Sequence, residues 1–184
     1  MQKLDNKNRR VCLNLGSGKS YKKSTETEKW INIDINKDWK PDVLWELNKF
    51  PWPFKNSTFD YVYADNILEH FDGIQLKKVI KEIGRILKED CFLEAIVPHF
   101  SNAAAHQINH KMYFHVNFFH PLNMPNVKVR EVKLRLTMNK YLKWLNSLAN
   151  MNPFLWERLF SYYYPPQMII FKLSISKKIE NKIR

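Results

Sequence analysis

The sequence predicts an α/β domain built around a mostly parallel, doubly wound sheet, and three observations carry that prediction. Five short apolar runs, Val11–Leu15, Trp30–Asp34, Asp42–Leu47, Phe59–Asn66 and Phe92–Val97, recur within the first hundred residues. Polar or helical stretches separate them, as crossovers separate parallel strands. The first run ends in Gly16-Ser17-Gly18, and the second ends in Asp34, sixteen residues after Gly18. Glycines let backbone approach a ligand without a Cβ in the way, and a carboxylate at the next strand end accepts hydrogen bonds from ribose hydroxyls. Gly18-Lys19-Ser20 also ends like a phosphate-binding loop, but that motif needs a glycine five residues before Gly18, and position 13 is Leu.

After the third run, Phe50-Pro51-Trp52-Pro53-Phe54 forms a loop stiffened by three ring systems and two prolines. Residues 73–88 read as a helix with Asp72 as its N-cap. Ile74, Leu76, Val79, Ile80, Ile83, Ile86 and Leu87 form its apolar stripe, with Lys77, Lys78, Lys81, Arg85 and Lys88 mostly opposite. Pro98 closes the fifth run, and residues 98–127 form an irregular insertion. From Lys128 to Thr137, charged residues alternate with Val129, Val132, Leu134 and Leu136, predicting a half-exposed strand. A helix is expected over 139–151 from Tyr141, Leu142, Trp144, Leu145, Leu148 and Met151, its apolar face suiting the sheet and a membrane surface equally. Pro153 opens another short helix through Trp156, Leu159 and Phe160. Met168–Ser174 is the last strand.

With 184 residues the chain reads as one domain over 11–176, flanked by basic tails at 1–10 and 177–184. Its net charge of +12 is unevenly placed. Residues 11–127 hold fourteen basic and fourteen acidic side chains, and the excess sits in 1–10 (+3), 128–143 (+5) and 172–184 (+4). Such segregation suits an anionic acceptor or a nucleic-acid face, and suits equally well a solvated surface that keeps the protein soluble. Cys12 and Cys91 both open apolar runs and read as buried thiols rather than a disulfide or metal pair. No apolar run reaches membrane-spanning length, and the N-terminus lacks an apolar signal core, so the expected location is cytoplasmic.

In these motifs the chain resembles the class I S-adenosylmethionine-dependent methyltransferases, of the small kind labelled type 11. The resemblance runs motif by motif over residues 11–100 and implies a Rossmann-like fold with an antiparallel last strand. It further implies S-adenosyl-L-methionine as cofactor and transfer of a methyl group to an O or N nucleophile. Carried onto this sequence, Leu15, Gly16, Ser17 and Gly18 wrap the methionine end, and Asp34 and Ile35 hold the ribose. Glu46 and Leu47 read the adenine, Asp65 and Asn66 face the reactive methyl, and His70 supports the pocket. Two departures stand out. Asn14 replaces the family's usual acid two residues before the first glycine, and the short polar stretch from Gly18 to Trp30 has barely room for a first crossover helix.

All six histidines, His70, His99, His106, His110, His115 and His120, lie between residues 70 and 120. His106 and His110 are spaced to share a helix face, yet no Cys is near and no Asp or Glu occurs from 95 to 130, so no metal site is expected. The family places the segment after the fifth strand on the acceptor side, which makes His99, His106 and His110 the candidate general bases. Two other functions fit the same residues: a non-catalytic nucleic-acid-binding module using basic and aromatic side chains, and a membrane-peripheral methyltransferase with a lipid-like acceptor, using the apolar stretch from Leu142 to Tyr164.

Overall fold

The computed structural model describes residues 9–120, 124–136 and 143–176. Seven strands form one sheet: β1 (Arg10–Leu15), β2 (Glu28–Asp34), β3 (Val43–Leu44), β4 (Phe59–Asp65), β5 (Leu87–Pro98), β6 (Val127–Arg135) and β7 (Met168–Ile175). Their order is β3-β2-β1-β4-β5-β7-β6. The first five are parallel, while β7 runs antiparallel to both β5 and β6. The chain moves outward from β1 to β3 and then returns to place β4 on β1's other side. The carboxyl ends of β1 and β4 therefore flank the point where strand order reverses, which is where open α/β sheets bind ligands.

Helix α1 (Gly73–Ile86) begins as the sequence predicts. The Asp72 carboxylate accepts from the Ile74 and Gln75 N–H groups, and the Gln75 side chain accepts from the Asp72 N–H. Leu76, Val79, Ile80, Ile83 and Ile86 are buried, each contributing about 1.5–3 kcal/mol relative to exposure. The helix ends at Ile86 rather than Lys88, and β5 starts at once with Leu87. Its exposed Lys88-Glu89-Asp90 opening carries no apolar alternation, which is why the sequence placed its start five residues late. At the other edge, β3 is two residues long because the chain turns away after Trp45 donates its N–H to the Asp34 carbonyl.

β6 is an edge strand, and α2 (Lys143–Met151) covers it with amides. The Asn150 side chain accepts from the Leu134 N–H at 2.8 Å and donates to the Leu134 carbonyl at 2.7 Å, and Asn146 accepts from the Leu136 N–H at 2.7 Å. The two amides thus satisfy the outward backbone groups that a further strand would otherwise pair. Ala149 and Leu145 pack on the core beside these amides. The polar Asn row of α2 faces the sheet, leaving Trp144, Leu148 and Met151 exposed, and α3 (Pro153–Phe160) continues that surface with Phe154, Leu155, Leu159 and Phe160. Of the expected 139–151 helix, residues 139–142 lie outside the described residues. Cys12 is buried, but Cys91 is only half-buried.

Candidate active site

Gly16 and Gly18 both take left-handed backbone, with φ of 61° and 43°. At Gly16 a Cβ would fall 2.6 Å from two carbons of Ile67, so glycine there admits the segment after β4. At Gly18 a Cβ would meet nothing nearer than the Gly16 carbonyl oxygen at 4.0 Å. The Gly18 N–H donates to Asp34 Oδ2 at 2.8 Å, and the Asn36 N–H donates to Oδ1 at 2.8 Å. The ends of β1 and β2 are thereby clamped together, and each carboxylate oxygen keeps lone-pair capacity for a ligand hydroxyl. Ser17 Oγ is buried beside the turn without a partner, whereas Leu15 is fully buried and Ile35 largely exposed.

The same corner explains Asn14. No crossover helix joins β1 to β2; residues 16–27 cover the sheet as turns and coil. Asn14 Nδ2 donates to the Ser20 carbonyl and to Asn32 Oδ1, both at 2.9 Å. Asn32 in turn bonds both backbone groups of Lys22 and donates to Asp42. These buried amides replace the packing of a helix with hydrogen bonds. An acid at position 14 could only accept, so it could serve neither acceptor that Asn14 now serves.

Beyond β3, Glu46 is half-buried and lies 3.3 Å from Lys49, while the Leu47 side chain belongs to the core and its carbonyl accepts from Trp52 Nε1. Of Leu47, only the backbone is therefore open to a ligand. The aromatic loop is pinned from α1. Glu82 accepts from the Trp52 N–H and from the Arg85 guanidinium, which also donates to the carbonyls of Trp52 and Phe54. Burial pushes the Glu82 carboxyl up, but the Arg85 and Trp52 hydrogen bonds outweigh it and leave it below its ordinary value.

At the end of β4, Asp65 accepts from the Tyr63 hydroxyl and the Asn66 amide. Two residues past Ile67 lies Glu69, 1 % exposed, with neither carboxylate oxygen hydrogen-bonded. Burial, with nearby Asp65 adding to it, raises its carboxyl to about 7. The His70 and His110 rings meet edge to face at 4.9 Å. Burial lowers the pKa of His110, with His70 acting in the same direction. Sequence spacing carries no signal for Glu69, because His110 lies forty-one positions further along the chain.

The insertion between β5 and β6, expected on the acceptor side, departs from expectation in two ways. Its Phe114 and Phe119 are core residues, with Val116 beside them in the core. His99 is fully enclosed and faces no acceptor. The Ser101 N–H donates to its Nδ1, so Nε2 carries the proton and donates to Glu157 on α3 at 2.9 Å. Glu157 also accepts from the Val116 N–H at 2.7 Å. This corrects His99 from a base to a pin joining β5, the insertion and α3. The sequence hid it because its acid lies fifty-eight residues away. His106 is exposed, with Nε2 donating to the Phe100 carbonyl and its ring 5.1 Å from Tyr113. The helical turn carrying it stops at His106, so His106 and His110 do not share a helix face. Two surface depressions, of about 490 and 400 Å³, share Lys88, Asp90 and Cys91 near the amino end of β5, away from this corner; Arg10 and Asp60 line the first, Val127 and Arg130 the second.

The fold has solved counterparts. A methyltransferase-domain family model matches residues 24–94. An S-adenosylmethionine-dependent methyltransferase from Archaeoglobus fulgidus superposes with a TM-score of 0.59 at 18% identity, covering 91% of this chain and 86% of that one. One from Mesorhizobium loti gives 0.61 at 11%, covering 92% and 93%. The 4+2 cyclase SpnF gives 0.64 at 10%, covering 93% and 76%, so the fold alone does not dictate the reaction. No curated protein sequence matches the chain. The strand order, the glycine turn and the methyltransferase-domain match together make this chain similar, in sequence and in fold, to the small class I S-adenosylmethionine-dependent methyltransferases.

Proposed function

We propose that this chain is a methyltransferase that binds S-adenosyl-L-methionine and moves its methyl group to an O or N nucleophile of an acceptor. The observation that carries the reading is the Gly18–Asp34 clamp at the strand-order reversal, with open space over Gly18. The cofactor supplies an electrophilic methyl on a sulfonium. The residues here bind and orient it: the Gly16–Gly18 turn and Ser17 at the methionine end, Asp34 with Ile35 at the ribose, and Glu46 with the Leu47 backbone at the adenine. Asp65, Asn66 and the Glu69–His70 pair border the transferring end. Methyl transfer asks mainly for in-line placement, plus removal of a proton from the acceptor. His106 and His110 remain as bases, and the lowered pKa of His110 keeps it neutral at pH 7.

Calorimetry with S-adenosylmethionine tests this directly. Asp34→Ala should weaken binding more than tenfold, because hydrogen bonds to a charged group contribute about 1.5–3 kcal/mol each. An unchanged dissociation constant would mean the ribose lies elsewhere. The nucleic-acid reading loses support, since Lys133 and Lys172 of the basic strands both pair with Glu131. A membrane-peripheral form of the same enzyme gains it from the outward apolar face of α2 and α3, to which Tyr162 and Tyr163 add exposed rings. Among the described residues no helix is long and apolar enough to cross a membrane. Co-sedimentation with anionic vesicles, lost in a Trp144→Ser, Met151→Ser double variant, would support that form; no sedimentation would remove it.

A further inference from the structure

We propose that Glu69, His70 and His110 form a binding site for a single divalent transition ion of the zinc type. One donor atom from each lies within 4.8 Å of the other two. Ligands about 2.1 Å from a tetrahedral ion stand about 3.4 Å apart, so a side-chain closure of roughly 1–1.5 Å suffices.

His70 is also in the right tautomer. The Asn109 carbonyl can only accept, so His70 Nδ1, 3.2 Å from it, carries the proton. That leaves the Nε2 lone pair for an ion, with a backbone carbonyl fixing the tautomer as ligating histidines require. His110 Nδ1 is buried without a partner, and so are both Glu69 oxygens. Buried polar atoms normally have partners, and orphans on two residues of one close cluster indicate a missing group. The cluster is held rigidly, because the Glu69 carbonyl accepts from the Lys111 and Met112 N–H groups and ties the His110 segment to the end of β4. Two imidazoles and one carboxylate suit zinc, iron or manganese better than magnesium or calcium, which favour all-oxygen sites.

Three protein ligands leave coordination positions open, and the site begins two residues from Ile67, whose side chain lies against Gly16. The ion would then anchor an acceptor through an oxygen atom. In that arrangement His110 holds the ion and takes no proton, leaving His106 as the base. This second step rests on the methyltransferase reading; the ion site does not.

The full-length chain, stripped with chelator, would be titrated with zinc chloride by calorimetry and with cobalt(II) by visible absorption. One equivalent of zinc should bind, and cobalt should show ligand-field bands of a nitrogen–oxygen site. Glu69→Gln, His70→Asn and His110→Asn should each weaken zinc binding more than tenfold, while His115→Asn, at a histidine outside the cluster, should not. No zinc binding by the wild-type chain, or equal binding by the three variants, overturns the proposal. The wild-type cobalt spectrum decides the matter even if a variant fails to fold. Zinc binding without S-adenosylmethionine binding would keep the ion site and sink the methyltransferase reading; the reverse would do the opposite.

Discussion

Replacing Gly18 by Ala separates what the glycine turn does for the fold from what it does for a ligand. Left-handed backbone does not by itself demand glycine here, since Lys40, Ser57, Asn66 and Asp90 adopt φ of 49–59° with side chains in place. A Cβ at position 18 would touch no neighbouring side chain. The only stability loss is then the left-handed penalty of an L-residue, about 1–2 kcal/mol. For a chain of this size that lowers Tm by about 2–8 °C. The added methyl would stand where the methionine end of the cofactor approaches, and the S-adenosylmethionine dissociation constant should rise more than tenfold, about 1.4 kcal/mol or more. Gly16→Ala should behave oppositely. Its Cβ would fall 2.6 Å from Ile67, so strain and overpacking should destabilise the protein by about 2–5 kcal/mol. Thermal melts and calorimetry on both variants give the comparison. If Gly18→Ala lowers Tm as expected yet binds the cofactor as wild type does, the turn does not face a ligand and the reasoning fails.

Asn14→Asp, the change toward the family's usual residue, should destabilise the chain by about 3 kcal/mol or more, because it sets a buried carboxylate against two oxygens it cannot bond; an unchanged melt would refute the amide network. Glu82 has a folded pKa below its ordinary value, so its contribution is full above about pH 4.5 and is lost as pH falls through the folded value. Arg85→Ala should therefore lose about 2–3 kcal/mol at pH 7, and melts at pH 7 and pH 4 should show the gap to wild type narrowing as Glu82 takes up a proton. His99→Ala should lower stability by about 3 kcal/mol through a cavity and an unpaired Glu157. Normal melting with selective loss of turnover would restore His99 as a base.

The strands of the parallel half were legible because each is an apolar run closed by a turn or a polar end, and α1 because its stripe and Asp72 cap agree. Long-range polar partners were not legible. Asn14 looked like a lost acid until Ser20 and Asn32 were seen to need a donor. His99 looked free until Glu157 arrived from α3. The apolar spacing of α2 left its orientation open; Asn146 and Asn150 decide it because the edge of β6 has backbone groups to satisfy. Glu69 and His110, forty-one positions apart, meet only because the insertion folds back on the end of β4.

The most direct test of the central claim is a crystal structure of the chain with S-adenosylhomocysteine. The account predicts the ribose hydroxyls within hydrogen-bonding distance of the Asp34 carboxylate, the amino-acid end over Gly16–Gly18, and the sulfur turned toward Asp65–His70. A ligand seated at the amino ends of the strands, around Arg10 and Asp60, or no bound ligand at saturating concentration, would contradict it.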